Sequence, residues 1–226
     1  MPALTPSRRL VGLAAGAAML LSALGLAGCG SSSTPSATGF STSDQAQVES
    51  MMATALKGRS LSIGATYAFL SPTSSRTIDF AQSPPASRVS FGGSSFAIYT
   101  GSTFYDCQKA KCKVLRGKAN PRQQLADAYN GQTFIATMRS VLLSPAQRAA
   151  YGISVRFSGA TYAGHASKCV TLTITKQKRG TLVLCEMSNG LLDYEASGTT
   201  SETLTSTTNA PPATDFVLPK GDTVTP

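Results

Sequence analysis

The chain has 226 residues, 42 % of them hydrophobic, which is enough for one domain with a real core. Its 20 basic and 11 acidic residues give a net charge of +9, which favours anionic surfaces. A single histidine leaves little from which to build a Cys/His or Ser/His mechanism or a zinc site.

Residues 1–28 read as a secretion signal, with Arg8 and Arg9 ahead of an uncharged apolar run from Leu10 to Ala27. A run of that length also fits a transmembrane anchor. The tetrapeptide Leu26-Ala27-Gly28-Cys29 decides between them, because it resembles the lipobox of bacterial lipoproteins. The resemblance implies cleavage after Gly28, a diacylglycerol on the Cys29 thiol and an N-acyl chain on the new amino terminus. Lipoprotein-processing enzymes would be partners during maturation, and membrane lipid the lasting one. At roughly 0.8 kcal/mol per buried CH₂, two or three acyl chains would hold the protein at the extracytoplasmic face of the cell membrane. Nucleic acid, the usual partner of a basic chain, is argued against by that location. Ser7-Arg8-Arg9-Leu10-Val11 partly matches a twin-arginine signal, so the export route stays open. Residues 29–43 are uncharged and rich in Ser, Thr, Gly and Pro, the composition of a flexible tether. Residues 44–219 are expected as the folded domain and 220–226 as a tail.

Asp44 is placed to cap a helix over 44–57, with Val48, Met51, Met52, Ala55 and Leu56 on one face and Gly58 as its stop. From Leu61 the pattern changes to period two, with Leu61, Ile63, Ala65, Tyr67 and Phe69 alternating with small and polar residues. Short strand candidates follow at 76–81, 87–92, 95–100, 103–107 and 112–116, bounded by Ser, Pro and Gly turns. Asn120, Pro121 and Gln123 then begin a helix that stops at Asn130 and Gly131. Phe134, Ile135, Met138, Val141 and Leu142 form the apolar stripe of a second helix over 132–143, and Ser144 to Gly152 a third short one. Strands resume at 153–159, 168–175, 181–187, 191–196 and 201–208, and residues 210–221 close the domain as an extended segment.

Four cysteines remain beside Cys29, an even number in an oxidising compartment. Cys107 and Cys112 stand five apart around a Lys/Ala tip, and a turn centred on Gln177 would set Cys169 opposite Cys185. Opposed residues of antiparallel strands lie within disulfide reach, so local geometry favours Cys107–Cys112 and Cys169–Cys185 among the three connectivities. Four residues separate the first pair, not the two of a thioredoxin-like redox site. Neither G-x-S-x-G nor S-x-x-K occurs, His165 falls in a glycine-containing turn, and the sparse carboxylates show no acid/base pair. The chain is read as a non-enzyme without cofactor or metal apart from the acyl groups on Cys29.

The order helix, strands, helices, strands defines an α+β protein with a single strongly curved antiparallel sheet, a half-barrel, its concave face covered by the N-terminal and mid-chain helices. The lipobox, the tether, this order, the cysteine pairs, Thr161–Cys169 (TYAGHASKC) and Asp215–Pro219 (DFVLP) together resemble the actinobacterial surface lipoproteins with the half-barrel fold of the LolA/LolB lipoprotein carriers. That resemblance implies a lipid or acyl chain held between sheet and helices. Met51, Met52, Tyr67, Phe69, Phe134, Ile135, Met138 and Leu142 are the residues expected to line such a cavity, in a protein expected to be a monomer. The other reading is a closed, disulfide-stapled interaction module that contacts anionic envelope components or another envelope protein. Lys109, Lys111, Lys113, Arg116 and Lys118, around the Cys107–Cys112 hairpin, are the residues expected to meet an anionic surface.

Overall fold

The computed structural model describes residues 40–92, 95–115, 129, 131–176 and 180–225. The leader, Cys29 and its lipidation, the tether up to Gly39, Arg116, Lys118 and most of the helix expected from Asn120 lie outside the described residues. Among the described residues no helix is long and apolar enough to cross a membrane.

Helix α1 spans Thr42–Gly58. Its cap is Ser41, not Asp44: the Ser41 side chain accepts from the Asp44 backbone N–H at 3.1 Å, and the Asp44 carboxylate accepts from the Ser41 N–H at 2.8 Å. The two residues make a reciprocal capping box, and Asp44 occupies its third helical position. Val48, Met51, Ala55 and Gly58 are the buried face. Leu56, expected inward, is 49 % exposed, because the buried stripe is narrower than the apolar one. At the other end the buried Gln82 side chain donates to the Gly58 carbonyl at 2.8 Å and to the Leu61 carbonyl at 3.0 Å, serving carbonyls that the helix leaves open.

Eleven strands follow in two runs. The first holds β1 (Ile63–Ser71), β2 (Ser74–Ser83), β3 (Ala86–Ser90), β4 (Ser95–Tyr99), β5 (Phe104–Gln108) and β6 (Lys111–Leu115). The second holds β7 (Ile153–Tyr162), β8 (His165–Ile174), β9 (Gly180–Met187), β10 (Leu192–Ser197) and β11 (Thr200–Asn209). Between them lie α2 (Gln132–Thr137), which continues as a π turn over Met138–Leu142, and α3 (Pro145–Tyr151). Helix α3 is capped by Ser144 and closed by Gly152 in the left-handed conformation.

All strands join one sheet in the order β12-β6-β5-β4-β3-β2-β1-β11-β10-β9-β8-β7. The N-terminal meander and the C-terminal meander are zipped together by β1 and β11, which pair antiparallel from Ile63↔Asn209 to Leu70↔Ser201. The sheet is open but strongly curled: β7 comes within 8 Å of β11, although three strands lie between them in the sheet. The sheet is mixed rather than wholly antiparallel. After a 3-10 turn at Ala213–Phe216 the tail crosses the outer face, and residues Thr223–Thr225 pair parallel with β6 as β12. The sheet thus runs past Pro219, where the folded domain was expected to stop.

Packing divides into three clusters. Val48, Met51, Phe134, Met138, Leu142 and Leu172, with further residues of α1–α3 and β7–β10, make the helix-side core. Tyr67, Phe69, Phe80, Val89, Tyr129 and Leu204 belong to a second cluster over β1–β3 and β11. Phe96, Ile98, Cys107 and Cys112 form a third, on which Leu218 of the tail packs. Two glycines let the helix seat closely. A Cβ at Gly190, φ +88°, would stand 2.2 Å from the Thr54 carbonyl oxygen, and one at Gly131, φ +79°, 2.8 Å from that of Ala55.

Candidate binding site

Both hairpins carry the disulfide their spacing predicts. Cys107 and Cys112 are register partners across β5 and β6, Cys169 and Cys185 across β8 and β9, and both pairs are bonded. Asp222 brings a carboxylate oxygen to 3.5 Å from the Cys112 sulfur. The three residues have the size of a metal cluster, but sulfurs bonded to each other offer no thiolate. Lys109 and Ala110 form the two-residue tip of the first hairpin, both at positive φ, and Lys109, Lys111 and Lys113 are exposed. His165 is half-buried as the first residue of β8, beside the Ala163–Gly164 turn rather than in an open loop.

The eight residues expected around an apolar cavity fall in two packed clusters. Met51, Phe134, Ile135, Met138 and Leu142 belong to the helix-side core, with Met52 half-buried against it. Tyr67 and Phe69 belong to the second cluster. Seven of them are buried to the level of ordinary core, Met138 and Leu142 completely. A pocket of about 310 Å³ opens instead on the outer face, between β1–β3 and Pro211, Pro212 and Asp215 of the tail, and none of the eight lines it.

On the inner face the strand pairing aligns a polar row. Glu195 of β10 is opposite Glu202 of β11, Glu202 is opposite Phe69 of β1, and Phe69 is opposite Arg76 of β2. The Arg76 guanidinium lies 4.4 Å above the Phe69 ring. The Tyr129 hydroxyl donates to Glu202 Oε2 at 2.9 Å, and its ring packs on Tyr67 at 4.7 Å between centroids. The Tyr67 hydroxyl donates to the Leu192 carbonyl at 2.7 Å.

Two further acids lie beside this row. Glu186 of β9, 3 % exposed, is the register partner of Lys168 and Leu192, and neither of its carboxylate oxygens has a hydrogen-bond partner among the described residues. Asp193 sits at the register shift between Leu192 and Tyr194, fully buried, and accepts from the Ser167 hydroxyl. Burial pushes Glu186 up to about 8, against the pull of Lys168 and Lys57. Burial also raises Asp193 to about 7, against the Ser167 hydrogen bond. Glu195 reaches about 7 through burial and the neighbouring Glu202. Glu202 is raised by burial, while Tyr129 and Arg76 oppose the rise. Burial is the first cause of all four rises and favours the neutral form of each, which lets these acids sit inside the fold with few matching cations.

Residue spacing alone misses this row. Part of it has a local signal: the Gly198–Thr199 turn sets Ser197 opposite Thr200 and therefore Glu195 opposite Glu202. The link onward to Phe69 has no such signal, since it depends on a partner strand far away in the chain.

The architecture, an open and strongly curled sheet with helices over its inner face, is a half-barrel scaffold. Among solved structures the fold is shared with MucB. The complex of MucB with MucA(peri) aligns with a TM-score of 0.51 and 16 % identity, over 80 % of this chain and 62 % of that one. MucB alone aligns with 0.51 and 16 %, over 78 % and 64 %. The Pseudomonas aeruginosa MucA/MucB complex aligns with 0.46 and 19 %, over 79 % and 62 %. At these identities the likeness is one of fold, and the chain spans less than two thirds of the MucB chains. No protein-family profile and no curated protein sequence matches it.

Proposed function

We propose that this chain is a lipid-anchored, non-enzymatic interaction module on the extracytoplasmic face of the cell membrane, held there by a diacylglycerol and an N-acyl chain on Cys29. One observation carries the choice of an interaction module over a carrier. The side chains that would line an apolar chamber pack into two clusters of buried core residues. The two disulfides stiffen the shell around them. MucB, which has this fold, was solved with a bound MucA(peri), and that supports a protein as the partner. Lys109, Lys111 and Lys113, with Arg116 and Lys118 next along the chain, supply an anionic-surface contact of about 1 kcal/mol per charge.

A second reading keeps the apolar ligand. It is favoured by the change from α to π hydrogen bonding at Met138–Leu142, in the helix that covers the sheet. Such turns are weak points in a helix and recur at functional sites. If this segment lifted, Met51, Met52, Phe134, Ile135, Met138 and Leu142 would line the opening, with Tyr67 and Phe69 at its far side.

Native mass spectrometry of the membrane-extracted mature chain separates the two. The interaction reading expects a mass that carries the Cys29 acyl groups and nothing else, and a stoichiometric co-purified lipid would overturn it in favour of the carrier. Cys29→Ala is expected to release the protein from the membrane; continued retention contradicts the anchor.

A further inference from the structure

The two ends of the sheet are guarded unequally. At one end the three-residue β12 covers β6. At the other, β7 is ten residues long and pairs with β8 in unbroken register from Ile153↔Ile174 to Tyr162↔His165. It has no proline and no bulge, two devices that usually protect an edge, and its one charged side chain is Arg156. Among the described residues β8 is its sole ladder partner, and only a small part of its length approaches β11.

The tip fixes which groups face outward. Tyr162 and His165 flank a two-residue turn and form a hydrogen-bonded pair, and the pairs alternate from there. The amides of Val155, Phe157, Gly159 and Thr161 therefore point away from β8. Val155 and Phe157 also stand half-buried at the margin of the helix-side core, so a bonded edge and an apolar lip lie together. The charge carried by the β7–β8 hairpin itself has one sign. No Asp or Glu occurs between Asp127 and Glu186, a stretch that contains seven lysines and arginines, among them the exposed Arg156 and Lys168 beside the edge.

We infer that the β7 edge is the docking site for an extended, acidic segment of another envelope protein, which adds to the sheet as a further strand, an assignment that rests on the chain's being an interaction module. Backbone hydrogen bonds supply the affinity, apolar side chains of the segment meet Val155 and Phe157, and its acids meet the basic surroundings. An anionic lipid surface would use the same charges but has nothing to offer a row of amides, so a polypeptide is the better match.

The test is titration of the full mature chain, in detergent, with a synthetic peptide of β7's length that alternates valine with glutamate. A lysine-for-glutamate peptide serves as control, and amide hydrogen exchange is the readout. Slowed exchange at Val155, Phe157, Gly159 and Thr161 with the acidic peptide alone is the expected result. Gly159→Pro removes an outward amide at a position with no close neighbour for a Cβ nearer than 3.8 Å, so β7 should still pair with β8. It is expected to weaken binding about tenfold, as is Arg156→Glu. Equal binding of both peptides, unchanged affinity in the Gly159→Pro variant, or protection confined to the β5–β6 hairpin would overturn the site while the module reading stands. Binding to anionic phosphatidylglycerol vesicles without binding to the acidic peptide would overturn it in favour of a membrane contact. Failure of the module reading itself shows separately, as co-purified lipid in the native mass.

Discussion

Glu195 and Glu202 sit directly opposite each other on neighbouring strands of the inner face, two carboxyl groups in one register pair, and the Tyr129 hydroxyl donates to the second of them. Like charges so placed would repel, and together with burial this favours the protonated form of the pair. With Glu186 and Asp193, the sheet carries a patch of acids whose protonated form burial favours, in an otherwise basic protein.

That patch predicts a pH dependence. Unfolded, the four acids ionise near pH 4 to 4.5; folded, Glu186 is held at about 8 and Asp193 and Glu195 at about 7. The folded state binds protons more tightly, so their contribution is fully present below the unfolded values and is lost as pH rises toward the folded ones. Lys57, Lys168 and Arg76 temper the loss without reversing it. The urea midpoint should be higher at about pH 5 than at about pH 8. Glu186→Gln should recover on the order of 1–3 kcal/mol at the higher pH. A midpoint that is flat or rises over this range refutes the protonated patch.

Tyr129→Phe removes the donor to Glu202 and leaves the ring contact with Tyr67 in place. The expected cost is about 1–2 kcal/mol. In a double-mutant cycle with Glu202→Gln the two effects should fail to add, because both report the same bond. Additive costs in urea denaturation would mean the hydrogen bond does not contribute.

Gly190→Ala should destabilise by about 2–3 kcal/mol, since its Cβ meets α1 backbone and its φ of +88° disfavours any side chain. Gly198 has φ +60° but open space around it, so Gly198→Ala bears the conformational cost alone and should lose about 1 kcal/mol. Thermal unfolding of the two variants side by side separates the clash from the dihedral.

The disulfides should contribute unequally. Cys169–Cys185 closes a separation of 16 residues and Cys107–Cys112 one of 5. The loop-entropy relation gives about 3 and about 2 kcal/mol. Paired alanine substitutions at each bridge, compared by urea denaturation, should fall in that order.

The cysteine hairpins were legible because everything that sets them is local: alternation, a short polar tip, and a separation that brings opposed residues together. The same reasoning located the strands of both meanders and the ends of α3. It misassigned the cap of α1, because Ser41 and Asp44 both suit a helix start and only the reciprocal bonds distinguish the cap from the third position. Periodicity marked Met51, Phe134, Met138 and Leu142 as apolar faces, and it reports which face is apolar and not whether that face packs on protein or on ligand.

By itself the sequence determined the local geometry: helix stripes, strand alternation, two stapled hairpins, and the Glu195–Glu202 and Phe69–Arg76 pairs that their own tight turns impose. Only the tertiary structure joined those pairs, because the β1–β11 ladder links strands more than a hundred residues apart and sheet order is not encoded in periodicity. The same ladder brings Glu202 against Phe69 and within hydrogen-bond reach of Tyr129, so the upward shift of its carboxyl follows from burial that no local pattern specifies.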